Sequence, residues 1–325
     1  MAEQISMQQS VWQKLRNWLP GLLLLAGLIV AVSHIGELEN FAHLVRKAEP
    51  VWLMAALVLQ LATYMSVAVV WYLALHAAGA SYPLWPLVPL GIAKLFSDQA
   101  MPSGGISGTA FFMAALNRRG ISNQVCMATL LLSLVAYYGA YLTAALATLW
   151  LLHFYHAIHT WIVAVVIIFS LVAAGIPTGA LWLRSLGHKE PPRILRHAPG
   201  LKQLMEDVAE APNELMHRPA LLIVATLLHL SVFCFDAATL WVMLQVVGMP
   251  VSFWAVFPCF VLASMVATIG PIPLGLGSFE ATCVGMLGVM GVPVETALTA
   301  TLLLRGFTLW LPMLPGMWMV RWALR

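Results

Sequence analysis

The stretch Gly270-Pro-Ile-Pro-Leu-Gly-Leu-Gly277 separates two apolar pieces, about Val251–Ile269 and Phe279–Met290. A bilayer span takes about 20 apolar residues, so both pieces are short for one. Proline removes a backbone donor and glycine relaxes the backbone, so together they break a helix. The break reads as the tip of a re-entrant hairpin, which enters and leaves the membrane on one side. A second break of this kind lies earlier: Pro102-Ser-Gly-Gly105 divides the short pieces Leu84–Met101 and Ser107–Leu116.

Around these breaks the chain is a membrane protein by composition. It has 325 residues, of which 61% are hydrophobic and 9% charged, and its mean hydropathy is +0.88. Soluble domains carry about 25% charged residues. The four cysteines, Cys126, Cys234, Cys259 and Cys283, each sit in an apolar run without C-x-x-C spacing, and read as small buried hydrophobes. The thirteen tryptophans fall largely near span ends, as in an aromatic belt. His153-x-x-His156-x-x-His159 has the look of a metal cluster, but it spans a loop and reads as interfacial polar groups. No metal or other cofactor is expected.

Long runs flank the hairpins. Leu19–Ile35 is a first span, read as an uncleaved signal anchor, and Glu37–Lys47 is an amphipathic surface stretch. Further spans cover about Val51–Leu75, Gln124–Leu152, Ile158–Leu183, Pro219–Val247 and Val294–Trp322. The sum is an all-α polytopic bundle: about six full spans plus two hairpins, or about eight hydrophobic spans by hydropathy. Residues 184–218 form a polar linker with a surface helix near Leu201–Met216. The whole chain, 1–325, reads as one integral membrane domain.

The order of long span, short piece, break, shorter piece and long span occurs twice, over about 51–152 and 219–322. Gly79, Trp85 and Pro89 align with Gly248, Trp254 and Pro258. Pro102, Gly104, Ser107, Leu116 and Gly120 align with Pro273, Gly275, Ser278, Leu287 and Gly291 after a small shift. These matches, in one order, mark an internal repeat. The membrane is crossed an odd number of times between the two opening spans, so the copies are inverted. Basic residues test this separately. Lys14, Arg16, Arg118, Arg119, Arg184, Lys189, Arg193, Arg196, Lys202, Arg218, Arg321 and Arg325 all fall on one side. The opposite segments 153–160, 248–250 and 291–293 contain no lysine or arginine; on that side only the Glu37–Glu49 stretch has basic residues, Arg46 and Lys47, and its three glutamates offset them. By the positive-inside rule, both termini are cytoplasmic. A bacterial inner membrane is the expected location.

Paired helix breaks in inverted halves point to a transport site near the midplane. Irregular backbone survives there only beside protein or a water-filled cavity. The candidate site residues come from the breaks and from the charges within the apolar runs. Gly104, Gly105, Ser107 and Thr109 belong to the first turn, and Gly275, Gly277 and Ser278 to the second. Ser107 and Ser278 are expected N-caps. A glycine-rich turn entering a helix suits an anion such as a lipid phosphate, or else only permits tight packing. The intramembrane charges are Lys94, Asp98, Asp236, Glu280 and Arg305. Each such charge costs about 2.5–3.5 kcal/mol at mid-membrane, so each is expected to face protein or water. A Glu280–Arg305 pair is expected, serving structure or else headgroup contact or proton coupling. Lys94 and Asp98 are i, i+4 partners. Asp236 could approach either set.

Met101-Pro-Ser-Gly-Gly-Ile-Ser-Gly-Thr109 with Asn117-Arg-Arg-Gly120 resembles the first motif of the lysylphosphatidylglycerol synthase transmembrane-domain, or flippase-like, family. Pro271-Ile-Pro-Leu-Gly-Leu-Gly-Ser-Phe-Glu280, with Gly291-Val-Pro293 and Leu304-Arg305 beyond it, resembles the second. The resemblance implies a bundle with broken helices that translocates polar-headed lipids: phospholipids, polyprenyl carriers or hopanoids. It also implies a part in substrate passage or gating for Glu280 and Arg305. The chain departs from the pattern at Thr109, Phe112, Leu274-Gly275 and Phe279, where the family often has charged residues or Gly-Gly. It would be a stand-alone member without the aminoacyltransferase domain.

The expected function is therefore a lipid flippase, with a membrane lipid as substrate. No recognised catalytic spacing joins Asp98, Asp236 and Glu280, so an enzyme acting on a lipid phosphate is the weaker alternative. A small-solute or ion-coupled transporter is another. A role beside lipid-modifying or glycosyltransferase enzymes is the last, and no nucleic acid partner is expected.

Overall fold

A computed structural model describes residues 49–100, 106–185, 215, 217–270 and 273–323. All belong to one compact unit, Ala48–Arg325. The expected first span, the Glu37–Lys47 stretch, Gly104, Gly105 and most of the 184–218 linker lie outside the described residues.

The described chain is all-helical. The first 28-residue helix, α1 (Pro50–Ala77), has proline in its first turn, where the missing N–H costs nothing. Two short helices come next, α2 (Leu87–Ala100) and α3 (Ile106–Asn117). Then come two long ones, α4 (Asn123–Phe154) and α5 (Thr160–Ser185). A second 28-residue helix with proline in its first turn, α6 (Pro219–Val246), leads into α7 (Phe253–Ile269) and α8 (Ser278–Val289). The last span is not the uninterrupted α-helix expected from its apolar run. It is α9 (Val294–Arg305), a π-helical turn over Gly306–Trp310, and α10 (Leu311–Ala323). A π-turn inserts an extra residue and rotates the helix beyond it, which periodicity in a uniformly apolar run does not reveal.

Five helices are long and apolar enough to cross a bilayer: 50–77, 123–154, 160–182, 219–246 and 294–320. Their outward surfaces are apolar: Met54, Val58, Ile167, Leu171, Leu227 and Leu314 are all exposed. In water such faces would drive aggregation; beside acyl chains they are solvated. The protein is thus a multi-pass membrane protein. By contrast, the 12 residues of α3 and of α8 each reach only about 18 Å, against about 30 Å of hydrocarbon.

The central seam is α1 against α6. Helix α10 packs on α2, and α4 packs on both α6 and α7. Helix α2 also packs against α3, and α7 against α8. The ends of corresponding helices are closed by the same hydrogen bonds. After α1, Gly79 at φ +81° lets the Ala80 N–H reach the Leu75 carbonyl at 2.9 Å; after α6, Gly248 at φ +76° lets Met249 reach Leu244 at 2.9 Å. After α3 and α8, Gly120 and Gly291 play the same part, with Ile121 bonded to Leu116 and Val292 to Leu287. These are left-handed C-terminal closures, which glycine adopts without steric cost.

Candidate functional site

The second break is built on left-handed backbone. Leu274 has φ +60°, Gly275 +63° and Gly277 +79°. Gly275 is there for space as well, since a β-carbon at that position would lie 2.4 Å from Cβ of Ala267 on α7. The turn delivers the chain into α8 with the Gly277 N–H donating to Oε2 of Glu280 at 2.7 Å. The other carboxylate oxygen accepts from Nε of Arg305 at 2.5 Å. Arg305 also donates through Nη2 to the Leu274 carbonyl at 2.9 Å and lies 4.8 Å from the Phe279 ring centroid. Arginine's planar fork therefore clamps the turn and the helix it leads into at once. The side chains of Arg305 and Glu280 are only 12% and 16% exposed, so each charge is compensated mainly by the other. The expected pair is present. Ser278 is not the N-cap: Gly277 holds that position, Glu280 accepts the cap N–H, and Ser278 Oγ turns back to the Gly275 carbonyl at 3.1 Å. A carboxylate is the stronger acceptor, and the hydroxyl serves the tight turn instead.

The α2–α3 pair carries an analogous device. Lys94 Nζ donates to Oδ2 of Asp98 at 2.8 Å, and the other carboxylate oxygen accepts the Gly108 N–H at 2.8 Å. Asp98 on α2 thus fastens the first turn of α3. Gly108 must lack a side chain, because a β-carbon would lie 2.3 Å from that carboxylate. Ser107 falls inside α3 rather than capping it, and its Oγ donates to the Ser97 carbonyl at 3.0 Å. At both helix breaks, then, an N–H that the sequence offers to an external anion is already accepted by one of the protein's own carboxylates.

Asp236 belongs with neither turn. It sits at the α1–α6 seam, where Nε2 of Gln60 donates to Asp236 Oδ1 at 3.1 Å and to Thr239 Oγ1 at 3.0 Å. Among the described residues Asp236 has no cationic partner. It lines a cavity of about 440 Å³ together with Gln60, Tyr64, Lys94, Asp98 and Thr308. Thr308 comes from the π-turn, so the break in the last span brings a hydroxyl to the cavity wall. A neighbouring cavity of about 420 Å³ contains Thr109, Ser133 and His229 in its wall. Val67, Trp71, Lys94 and Tyr137 line both. Neither lining includes Glu280 or Arg305. The structure therefore gathers Lys94, Asp98 and Asp236 around one cavity, puts Thr109 in the wall of its neighbour, and sets the Glu280–Arg305 pair with Gly275, Gly277 and Ser278 apart.

Sequence reasoning misses Gln60, Tyr64, Trp71, Ser133, Tyr137 and Thr308. One signal is available: Gln60 is a lone amide in the apolar run Val51–Leu75. His229 is 4% exposed and bonds through Nε2 with Ser133 Oγ at 3.1 Å. His153, His156 and His159 are exposed at the α4–α5 turn. Of the cysteines, Cys126, Cys259 and Cys283 are buried and Cys234 is half-buried.

An all-helical, multi-pass bundle with charged pairs at two helix breaks defines a polytopic membrane protein whose largely apolar cavities carry a few charged and polar side chains. The family model of the lysylphosphatidylglycerol synthase TM region matches residues 17–316, and the chain belongs to that family. No curated protein matches the chain as a relative.

Proposed function

We propose that the protein translocates a polar-headed lipid, a phospholipid or a polyprenyl- or hopanoid-type lipid, by alternating access between two inverted halves. The observation that carries this reading is the pair of cavities walled by Lys94, Asp98, Asp236, Thr109 and His229 within a bundle whose outer surface is apolar. Charge inside the hydrocarbon layer is costly and persists where it serves a passage. Membership of a family tied to lipid metabolism favours a lipid over a small solute.

Several features support two inverted copies over about 51–152 and 219–322. The C-terminal closures at Gly79 and Gly248, and at Gly120 and Gly291, match in hydrogen bonding. Packing is reciprocal: the last helix of one half lies on the first hairpin arm of the other, α10 on α2 and α4 on α7. In this reading α2–α3 and α7–α8 are re-entrant hairpins opening to opposite sides. Both termini are cytoplasmic, and the membrane is a bacterial inner membrane. The α1–α6 seam, with the Gln60–Asp236 contact, is the surface about which the halves rock. The substrate supplies the partner; lipid-modifying or glycosyltransferase enzymes are the protein neighbours this role would have. The chain acts without making or breaking bonds in its substrate.

The test is a proteoliposome assay with fluorescent lipids in both leaflets and a membrane-impermeant quencher. Wild-type protein is expected to raise the quenched fraction above half, and Asp236→Asn or Arg305→Ala, shown to be folded, to abolish the gain. A modified lipid product formed in detergent, with no gain in quenching, would establish the enzyme reading instead.

A further inference from the structure

Asp98 and Glu280 each hold a cation and a backbone N–H, through Lys94 and Gly108 and through Arg305 and Gly277. Asp236 holds neither. Its Oδ1 accepts from Nε2 of Gln60 at 3.1 Å, while Oδ2 has no partner among the described residues and is open to the cavity. The orientation of the Gln60 amide is fixed by its second contact. Thr239 Oγ1 gives its hydrogen to the Phe235 carbonyl at 2.9 Å, so toward Gln60 it accepts. Both amide hydrogens are thereby used, one on Asp236 and one on Thr239. A neutral donor compensates an ionised carboxylate only in part, and Asp236 lies within a span, about 15 Å along α6 from its nearer end.

The surroundings supply no cation. The cavity wall brings Tyr64 from α1, Lys94 and Asp98 from α2 and Tyr137 from α4, and Lys94 is already held by Asp98 at 2.8 Å. Helix α6 itself adds His229, which bonds Ser133 in the other cavity. Helix α7 has no charged residue. Helix α9 has only Glu295, which is exposed, and Arg305, which is held by Glu280. The wall therefore carries one more carboxylate than cation.

We propose that Asp236 is the proton-binding site that couples a proton gradient to translocation. This rests on the lipid-translocation reading and supplies its driving force. Oδ2 takes a proton from water reaching the cavity on one side of the membrane and returns it to water on the other. No bond in the lipid changes. Oδ1 accepts from Gln60 in both states, so the α1–α6 seam keeps its hydrogen bond while the charge comes and goes. A metal ion is the poorer fit, because it needs several oxygen ligands and Gln60 turns its NH2 rather than its oxygen to Asp236. The ionised acid requires water beside it, whereas the neutral acid tolerates a closed, dry seam. Proton occupancy thus biases how α1 and α6 rest against each other. At about 440 Å³ the cavity has room for the water this needs.

The full chain is reconstituted in liposomes with fluorescent lipid in both leaflets, and the membrane potential is held at zero with potassium and valinomycin. With one proton carried per lipid, a gradient of about one pH unit is expected to drive up to about a tenfold leaflet imbalance, reversed when the gradient is reversed. Asp236→Asn is expected to show no imbalance in either direction, and Asp236→Glu to restore part of it. Proton binding is read separately, in detergent and without added lipid, as the infrared carbonyl band of a protonated carboxylic acid. A band that titrates in wild type, vanishes in Asp236→Asn and moves to higher frequency in Gln60→Leu assigns the proton to Asp236. An acid band unchanged in Asp236→Asn overturns the proposal. So does wild-type translocation that ignores the pH gradient, or that follows a sodium gradient at fixed pH instead. Should Asp236→Asn fail to fold, the shift in Gln60→Leu decides the site. No translocation under any gradient, with the Asp236 band in place, would overturn the lipid reading while still assigning the proton to Asp236.

Discussion

Arg305 donates to Glu280 at 2.5 Å and, with its other arm, to the Leu274 carbonyl at 2.9 Å, so one side chain from the last span holds both sides of the second helix break. Removing the arginine strands a carboxylate and a carbonyl together. Removing the charge of the glutamate leaves an amide oxygen that still accepts the Gly277 N–H. Arg305→Ala is therefore expected to cost about 3–5 kcal/mol, toward the lower end because the pair is not fully buried. Glu280→Gln should cost less. Thermal unfolding in detergent, tracked by loss of monodisperse protein, measures the order. Equal stability of Arg305→Ala and wild type would show that the clamp does not hold the turn.

Gly275 and Gly285 are expected to respond to alanine in opposite directions. At Gly275 the backbone is left-handed and the new methyl would meet Ala267 at 2.4 Å. Strain and overlap together should cost about 1–3 kcal/mol or more. Gly285 lies within α8 with nothing within 4 Å of a new β-carbon, so alanine there should stabilise by about 0.5–1 kcal/mol. The same unfolding measurement separates them. A Gly275→Ala protein as stable as Gly285→Ala would mean that the turn is not close-packed against α7.

At the α1–α6 seam, Gln60→Leu removes the hydrogen bond donated to Asp236 and should destabilise by about 1–3 kcal/mol. Asp236→Leu placed on that background removes the stranded group and should recover much of the loss. Translocation should stay abolished, because the acid is gone from the cavity wall. A double-mutant cycle combining stability with lipid quenching reads both effects. Additive losses would show that Gln60 and Asp236 act independently.

Membrane orientation is open to direct labelling. In a cysteine-free background, Ser122→Cys is expected to react with an impermeant maleimide only after the cytoplasmic face is exposed, and Met249→Cys from the outer face of intact cells. Both residues lie in short connections after helices, Ser122 beyond α3 and Met249 beyond α6. Labelling of both from the same side would remove the inversion and with it the alternating-access mechanism.

Helix boundaries are legible in the amino-acid order because hydrocarbon punishes unpaired backbone. Long apolar runs must be helical, and proline or glycine must mark their ends. The expected limits of α1, α4, α6, α7 and α8 hold to within a few residues. The i, i+4 spacing of Lys94 and Asp98 forecasts their contact for the same local reason. Glu280 and Arg305 can be paired from sequence because two charges in an apolar surrounding have few other places to go.

Sequence alone thus determined what is local or imposed by the lipid: helical class, span positions, helix breaks, and which charges needed partners. Tertiary packing decided the rest. It placed Gln60, rather than a cation, against Asp236, and set Lys94 and Trp71 on a wall common to two cavities. It introduced the π-turn that carries Thr308 inward, and it gave the turn N–H groups to Asp98 and Glu280. In a uniformly apolar helix every face is equally hydrophobic, so periodicity does not say which face turns inward. That is settled only when neighbouring helices dock and their few polar groups must find one another.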